Sequence, residues 1–221
     1  MPEIPVGTLI AGIFETLYMT LASTVFSYLL GIPAGVLLYV SGENGICSNR
    51  AVNRTLGAVI NLLRSAPFII LLVAVLPLTR AITGTTIGPT ATIVPLVIAS
   101  APFVARMAES SFKEVDAGVI EAAQSMGSTV WQIIYKVLLP EARPSLIVGG
   151  AIAVTTILGY TAMAGFVGGG GLGAIAINYG YYRYDYTVML ITVILLVIIV
   201  QLFQALGMRL ARTLDKRRQS S

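Results

Sequence analysis

Long stretches without a charged residue set the limits on how this chain can fold. They comprise residues 16–42, 65–79, 81–105, 144–182 and 186–208. A helix that crosses the hydrocarbon core of a bilayer needs about 20 apolar residues at about 1.5 Å rise each, and four of the five stretches are longer than that. Only 11% of the residues are charged, against about 25% in a typical soluble domain. The pattern excludes an ordinary soluble globule and predicts an all-α membrane protein.

The positions of the apolar residues predict five transmembrane helices per chain. These spans cover residues 8–40, 56–78, 88–107, 145–166 and 186–210. With so little polar sequence between them, residues 1–221 are expected to form a single transmembrane domain. The largest polar part, about 109–143, is expected to be a cytoplasmic loop.

The basic residues predict how the chain is oriented in the membrane. Arg50 and Arg54 follow the first span, the 109–143 loop contains three basic residues, and the tail after residue 208 contains five. The opposite connections contain only Arg80 and Arg183. Because Lys- and Arg-rich loops stay cytoplasmic, the N-terminus is expected outside and the C-terminus in the cytoplasm. The first residues lack the basic start of a cleavable signal peptide, so the first span is expected to remain in the mature protein.

Several kinds of chemistry are excluded by residues that the chain lacks. There is no histidine, and Cys47 is the only cysteine, so we expect no His- or Cys-based metal site and no intrachain disulfide. None of the three lysines stands in the Gly-Lys-Ser/Thr sequence of a phosphate-binding loop. The near absence of ionisable residues within the spans argues against a proton-coupled transporter. We therefore expect no catalytic residues here, and any ATP must be hydrolysed on another chain.

The 109–143 loop contains two helical patterns in series. In the first, apolar residues recur at i, i+3, i+4 and i+7, the spacing of one helix face; they are Val119, Ala122, Ala123 and Met126. Asp116 is a candidate N-cap, and Gly127 is placed to end the helix.

The second pattern begins at a possible capping box, Thr129 to Gln132. The same face spacing is repeated by Trp131, Ile134, Tyr135 and Leu138. Pro140 is expected to stop this helix, since proline disfavours helix in the residue before it. Two interpretations remain open: a hairpin that lies on lipid or on its own bundle, or a helix presented to a groove on a cytoplasmic partner.

The spacing of these residues resembles the EAA loop of binding-protein-dependent ABC importer permeases. That loop reads E-A-A-x3-G-x9-I-x-L-P, and here Glu121-Ala122-Ala123, Gly127 and Val137-Leu138-Leu139-Pro140 match it. The one departure is Val137 in place of Ile. Residues 64–72, 101–106, 159–173 and 178–181 are in addition similar to the methionine-uptake permeases of bacteria.

The resemblance implies a function and a set of partners. The permeases of this family are homodimers of five-helix subunits in the bacterial inner membrane. They import methionine, expected here in both the L- and D-forms. They work with two separate ATPase subunits, which carry ATP and Mg²⁺, and with a periplasmic or lipoprotein substrate-binding protein. The EAA loop supplies the helix that couples the permease to the ATPases. That role is carried onto Glu121, Ala122, Ala123, Met126 and Gly127, with Pro140 as a structural stop.

Other assignments remain open at this level. Tyr160 and Met163, near the outer end of the fourth span, are candidates for the substrate path or gate, or else for core packing. Gly31, Gly35 and the pair at 149–150 suit either a contact with a second copy or internal packing. Arg64 and Arg106 are expected to extend to the cytoplasmic interface, with a gate or partner contact as the alternative. The glycine-rich residues 168–173 form either a flexible connector or a close-packed outer loop for docking of the binding protein.

Two further functions also stay open. The same kind of permease could carry another amino acid or small solute, since selectivity can reside in the binding protein. A multispan membrane anchor without transport activity is the alternative from another class of protein.

Overall fold

The computed structural model describes residues 5–43 and 45–214, and within these ranges every regular element is helical. The α-helices, in chain order, are α1 (Val6–Ser41), α2 (Arg50–Ser65), α3 (Phe68–Ala74), α4 (Leu76–Thr83), α5 (Pro89–Lys113), α6 (Ala117–Ser125), α7 (Val130–Ile133), α8 (Leu139–Ala164), α9 (Gly171–Ile175) and α10 (Tyr186–Leu214). π-helical turns cover Ile134–Leu138 and Ala176–Tyr181, and a 3₁₀ turn covers Gly165–Val167.

Four helical segments in the described chain are long and apolar enough to cross a membrane. They are Val6–Ser41, Pro89–Lys113, Val130–Val167 and Tyr186–Ala211. The bent pair Arg50–Ser65 and Phe68–Ala74 makes a fifth if it crosses as one span. The prediction of an all-helical membrane protein is therefore confirmed, with four to five spans.

The second predicted span, residues 56–78, is not one continuous helix. The α2 helix ends at Ser65, directly before Ala66-Pro67, and α3 begins at Phe68. Proline disfavours helical backbone in the residue before it, which here is Ala66. Pro67 itself has φ and ψ of −58° and 132°, which are extended rather than helical values. The apolar pattern detected the segment but not its break.

The expected stop at Pro140 is wrong. Helix continues from Val130 to Val167, with the π-helical turn Ile134–Leu138 just before the proline. In that turn the Leu139 N–H donates to the Ile134 carbonyl, five residues back. Proline has no N–H to donate and its ring crowds the preceding turn. A widened turn at this point lets the chain remain helical through Pro140.

The described chain divides into two compact units, each with its own core. The first contains residues 5–27, 66–100 and 153–204. One of its clusters joins α1, α3, α5 and α8 through Met19, Phe68, Leu72, Leu96 and Ile157. A second cluster packs α9 and α10 against α8 through Leu158, Leu172, Ile175, Val188 and Ile199.

The glycine-rich segment of this first unit is closely packed, so the flexible-connector interpretation is wrong. A Cβ on Gly173 would lie 2.5 Å from the Ala162 carbonyl oxygen, nearer than any side chain can approach. The Gly171 N–H donates to Glu15 Oε2 at 2.7 Å, and the Leu172 N–H donates to Thr16 Oγ1 at 2.9 Å. Two side chains of α1 thus satisfy backbone donors at the start of α9.

The second unit contains residues 28–65, 101–152 and 205–214, with residue 44 outside the described ranges. Its largest core cluster contains Ala108, Phe112, Val115, Ile120, Ala123, Ile133, Leu138, Ala142 and Leu146. These residues pack α6 and α7 onto the end of α5 and the beginning of α8. The 109–143 segment is therefore a folded, helical part of this unit.

The paired small residues serve internal packing. A Cβ on Gly31 would lie 2.6 Å from Val104 Cγ1, and one on Gly35 would lie 2.7 Å from the Ala105 carbonyl oxygen. Gly149 lies against Met107 in the same way. These glycines allow α1 and α8 to approach α5 within the unit. Of the two interpretations left open above, internal packing is the one observed.

Candidate functional site: a capped helix with an unpartnered apolar face

The predicted caps of α6 are confirmed at both ends. Asp116 Oδ1 accepts a hydrogen bond from the Gly118 N–H at 2.7 Å. At the other end, the Gly127 N–H donates to the Gln124 carbonyl at 2.9 Å, and the Ser128 N–H donates to the Ala123 carbonyl at 3.1 Å. This is the Schellman pattern, and Gly127 takes the positive φ of 74° that it requires. Residues directly next to α6 in the sequence therefore cap both of its ends.

The apolar face of α6 is divided between the core and the surface. Ile120 and Ala123 are buried in the unit's main cluster. Val119 is 44% exposed and Met126 is 79% exposed, and Ala122 is also exposed. The buried side of α6 is thus formed by Ile120 and Ala123 rather than by the predicted face of 119, 122, 123 and 126. Most of the predicted face has no partner within the described chain. Ile120 is the core contact that the face spacing missed.

The second helical pattern shows the same division. The capping box is confirmed: the Thr129 N–H donates to Gln132 Oε1 at 2.8 Å, and the Gln132 N–H donates to Thr129 Oγ1 at 3.4 Å. Ile134 and Leu138 are buried. Trp131 and Tyr135 are exposed, with their rings stacked at a centroid distance of 6.0 Å. A second exposed apolar surface therefore follows α6 directly.

Glu121 points away from the core and is exposed. Its carbonyl accepts from Ser125 Oγ at 2.9 Å. Ala123 is buried under the helix, and Gly127 shapes its end. The candidate coupling residues therefore fall into two groups: Glu121, Ala122 and Met126 are accessible to a partner, whereas Ala123 and Gly127 position the helix.

An ionic cluster around Glu109, which no sequence pattern described above indicates, lies at the end of α5. Glu109 is 7% exposed and pairs with Arg106 and Lys113, each at 2.7 Å. The Arg106 guanidinium also donates to the Gly57 carbonyl at 3.2 Å and to Asn61 Oδ1 at 3.0 Å. Arg106 thus fastens α2 to α5, whereas Arg64 is exposed. The i, i+3 and i, i+4 spacing of these charges was the signal that could have identified the cluster.

The two candidate path residues have different surroundings. The Tyr160 ring stacks on Phe68 with a centroid distance of 4.3 Å and an interplanar angle of 7°. Met163 is 48% exposed. Gly159, on the same helix, is also exposed, and a Cβ there would have no neighbour within 4 Å. The structure therefore places Tyr160 in a packed layer and leaves Met163 on the surface of the described chain.

Comparison with known proteins yields a family and several similar chains. Residues 27–220 match the family described as "Binding-protein-dependent transport system inner membrane component". The probable D-methionine transport system permease protein MetI of Vibrio cholerae is 50% identical, over 95% of this chain and 93% of its own. The protein of the same name from Haemophilus influenzae is 45% identical, over 96% and 99%.

Solved structures give the same result. A chain of the MetNI methionine ABC transporter, crystallised in inward-facing conformations, is 48% identical with a TM-score of 0.95. The match covers 98% of this chain and 100% of that one. A chain of an amino acid ABC transporter crystallised with histidines has a TM-score of 0.78 at 20% identity, which shows likeness of fold alone.

The family match covers most of the chain, and the similar chains align over nearly their full lengths. Two predictions are confirmed by it: that the chain is a transporter permease subunit rather than an enzyme, and that it resides in the bacterial inner membrane. The chain belongs to the family of binding-protein-dependent transport system inner membrane components.

Proposed function

We propose that this chain is the permease subunit of an ATP-driven importer of methionine, in both the D- and L-forms. The observation that carries the proposal is the likeness of almost the whole chain to D-methionine transport permeases at 45–50% identity. The 0.95 TM-score to a methionine ABC transporter chain supports the same assignment. A permease for another solute would have to differ in substrate from relatives that share 45–50% of its sequence, so methionine is favoured.

The importer is proposed to contain two copies of this chain, two ATP-binding chains and a periplasmic or lipoprotein binding protein. The four to five spans of one chain are few to enclose a solute path and its gates. A two-fold pair doubles that number and places the path at the shared interface. ATP and Mg²⁺ belong to the ATP-binding chains, because this sequence contains no phosphate-binding loop.

The α6 helix is proposed as the element through which the ATP-binding chains act. Its exposed residues Glu121, Ala122 and Met126 form the contact surface. Small Ala122 permits close approach of a partner, and exposed Met126 is a large apolar side chain of the kind that helix-in-groove contacts bury. Ala123 and Gly127 hold the helix in place. Pro140 acts only indirectly, through the widened turn that precedes it.

Movement of α6 reaches the membrane because of how the helix is attached. Ile120 and Ala123 pack in one cluster with Phe112 of α5 and Leu138, which precedes α8. Close-packed cores transmit displacement with little compression. When the ATP-binding chains close or open, α6 is expected to move α5 and α8 with it as a rigid body. Free energy is transferred only if α6 contacts those chains differently in the two states.

The substrate path is proposed to pass the exposed side of α8 at Met163. The neighbouring surface at Gly159 leaves open space for a ligand or for the second copy. Tyr160 contributes by its stacking on Phe68, which supports the helix from behind.

The proposed orientation places the C-terminus and α6 in the cytoplasm. It follows from the basic residues of the connecting segments. Cys47 is exposed and is the only cysteine, so a membrane-impermeant maleimide can report its side directly. Labelling in inverted vesicles but not in intact spheroplasts is expected, and the reverse would show the opposite orientation.

Transport by the reconstituted complex tests the function. Proteoliposomes that contain this chain, its ATP-binding chain and the cognate binding protein are expected to accumulate L- and D-methionine only with ATP. Equal uptake of leucine or glutamine would favour the alternative of a broader solute permease. Absence of any ATP-dependent uptake, with intact assembly, would favour a membrane anchor.

A further inference from the structure

A polar cavity lies where α1 ends and α2 begins. It has a volume of about 330 Å³ and is lined by Ser41, Glu43, Ser48, Arg50, Asn53 and Arg54. Two arginines and one glutamate give the lining a net positive charge. The ion pairs of Glu109 with Arg106 and Lys113 involve neither of these arginines. The proposed transport mechanism assigns no role to this cavity.

Hydrogen bonds hold the walls of this cavity in place. Asn53 Nδ2 donates to the Leu38 carbonyl at 2.7 Å and to Ser41 Oγ at 3.3 Å. The Asn49 N–H donates to the Ser41 carbonyl at 3.0 Å, and the Cys47 N–H donates to the Val40 carbonyl at 3.0 Å. The loop is thereby tied to the last turn of α1, and the two arginines extend from a fixed base.

The position of the cavity along α1 corresponds to a membrane surface. The charge-free stretch 16–42 ends at the cavity. As helix it measures about 40 Å, which matches the thickness of a bilayer including its headgroup regions. A helix of this length that spans a bilayer brings the arginines to the depth of lipid phosphates.

An exposed apolar surface continues from the arginines along one side of α2. Arg50, Arg54, Ala58 and Leu62 follow one another at i, i+4 intervals, so they lie along the same side of the helix. Ala58 is exposed and Leu62 is 73% exposed, whereas Gly57 and Ile60 of the same helix are buried. An apolar strip next to two cations fits the acyl chain and the phosphate of one lipid, whereas a soluble protein partner would not need the strip.

We propose that Arg50 and Arg54 bind the phosphodiester of an anionic phospholipid, whose acyl chain lies along Ala58 and Leu62. Guanidinium groups suit this role because their planar N–H donors match phosphate oxygens in pairs. Basic pockets at the cytoplasmic ends of spans attract anionic headgroups in the same way. The carboxylate of Glu43 repels the phosphate and lowers the affinity for the lipid. The proposal is independent of which solute is transported.

Lipid binding to the purified complex with its ATP-binding chains tests the proposal. Native mass spectrometry would compare phosphatidylglycerol with phosphatidylethanolamine of the same acyl chains. Phosphatidylglycerol is expected to bind more tightly to the wild type. The double variant R50Q/R54Q is expected to bind it about 25-fold more weakly, at about fivefold per arginine. The matched control R80Q/R183Q loses the same charge from the opposite connections and is expected to change binding by less than about twofold.

A variant with the opposite expected effect guards against misfolding of the double variant. Removing the carboxylate in E43Q is expected to tighten phosphatidylglycerol binding about two- to fivefold. If phosphatidylethanolamine is the true ligand, its ammonium pairs with Glu43, and E43Q would instead weaken its binding. Inorganic phosphate at millimolar concentration is expected not to displace the lipid.

Several results would overturn the proposal. One is unchanged phosphatidylglycerol binding by R50Q/R54Q. Tighter binding of phosphatidylethanolamine by the wild type would contradict the anionic preference, and displacement by phosphate would show a site for the free ion. Loss of the ATP-binding chain from R50Q/R54Q with lipid binding intact would assign the arginines to a protein contact. Methionine uptake by the same preparations is measured separately, so a failed lipid site leaves the transport proposal standing.

Discussion

Two short helices, α6 and α9, are specified in opposite ways. The α6 helix is capped by residues within its own segment, Asp116 and Gly127, and keeps part of its apolar face exposed. The α9 helix has no side-chain cap from its own N-cap residue, Gly170. Its first donors are satisfied by Glu15 and Thr16, which are 156 residues away in the chain. A helix with an exposed face can thus be encoded locally, whereas a buried one can depend on the rest of the fold.

The largest effect is expected from a side chain placed inside the α9 segment. In Gly173→Val the Cβ would meet the backbone of Ala162 at 2.5 Å. Overpacking against backbone is expected to destabilise the permease by about 3 kcal/mol. A strongly reduced melting temperature in detergent, or loss of folded protein, checks this. The control Gly159→Val adds the same atoms where a Cβ has no neighbour within 4 Å. Similar melting temperatures for the two variants would contradict the close packing of α9.

A smaller effect is expected when the distant cap of α9 is removed. Glu15→Ala leaves the Gly171 N–H without its acceptor in a partly buried position, which is expected to cost about 2 kcal/mol. Thermal unfolding followed by fluorescence measures the change. Glu15→Gln keeps an acceptor oxygen and is expected to lose less than half as much. Equal melting temperatures for Glu15→Ala and Glu15→Gln would contradict the proposed capping of α9 by the side-chain oxygen of residue 15.

Removal of the local cap of α6 is expected to cost less. Asp116→Ala removes the acceptor of the Gly118 N–H, worth about 1 kcal/mol. The helix is also held by Ile120 and Ala123, so the fold should persist. Asp116→Asn, which retains a capping oxygen, is the control. A loss as large as that of Glu15→Ala would show that α6 depends on its cap more than its packing indicates.

The smallest change in stability, with the largest change in function, is expected on the exposed side of α6. Ala122→Glu adds a charge where no packing is disturbed, so stability should change by less than about 0.5 kcal/mol. The variant is expected to lose copurification with the ATP-binding chain and ATP-driven uptake. Gln124→Glu introduces the same residue on the other side of the helix and should retain both. Equal behaviour of the two variants would remove α6 from the coupling proposal.

The sequence predicted the elements whose signals are local. Asp116, Gly127 and the Thr129–Gln132 box were identified correctly because caps act within a few residues. Charge-free apolar stretches indicated the membrane spans for the same reason, although the second predicted span is broken between α2 and α3. The face of α6 was placed incorrectly, since its burial depends on where Phe112 and Leu138 lie in space.

Two features lay beyond any local pattern. Pro140 was expected to stop a helix, but a π-helical turn of five residues accommodates it. Glu15 accepts a hydrogen bond from the distant α9, which the sequence around Glu15 does not indicate. Neither outcome is encoded in neighbouring residues, because each depends on a contact or hydrogen-bond register that forms only in the folded chain.

The sequence alone determined that this chain is a helical membrane protein with a capped helix between two of its spans, because a bilayer admits few charges and helix ends need specific residues. The tertiary structure decided which side of that helix stays exposed, which glycines leave no room for a side chain, and which cavity Arg50 and Arg54 line. Those outcomes depend on contacts between residues far apart in the chain, which periodicity and spacing do not contain.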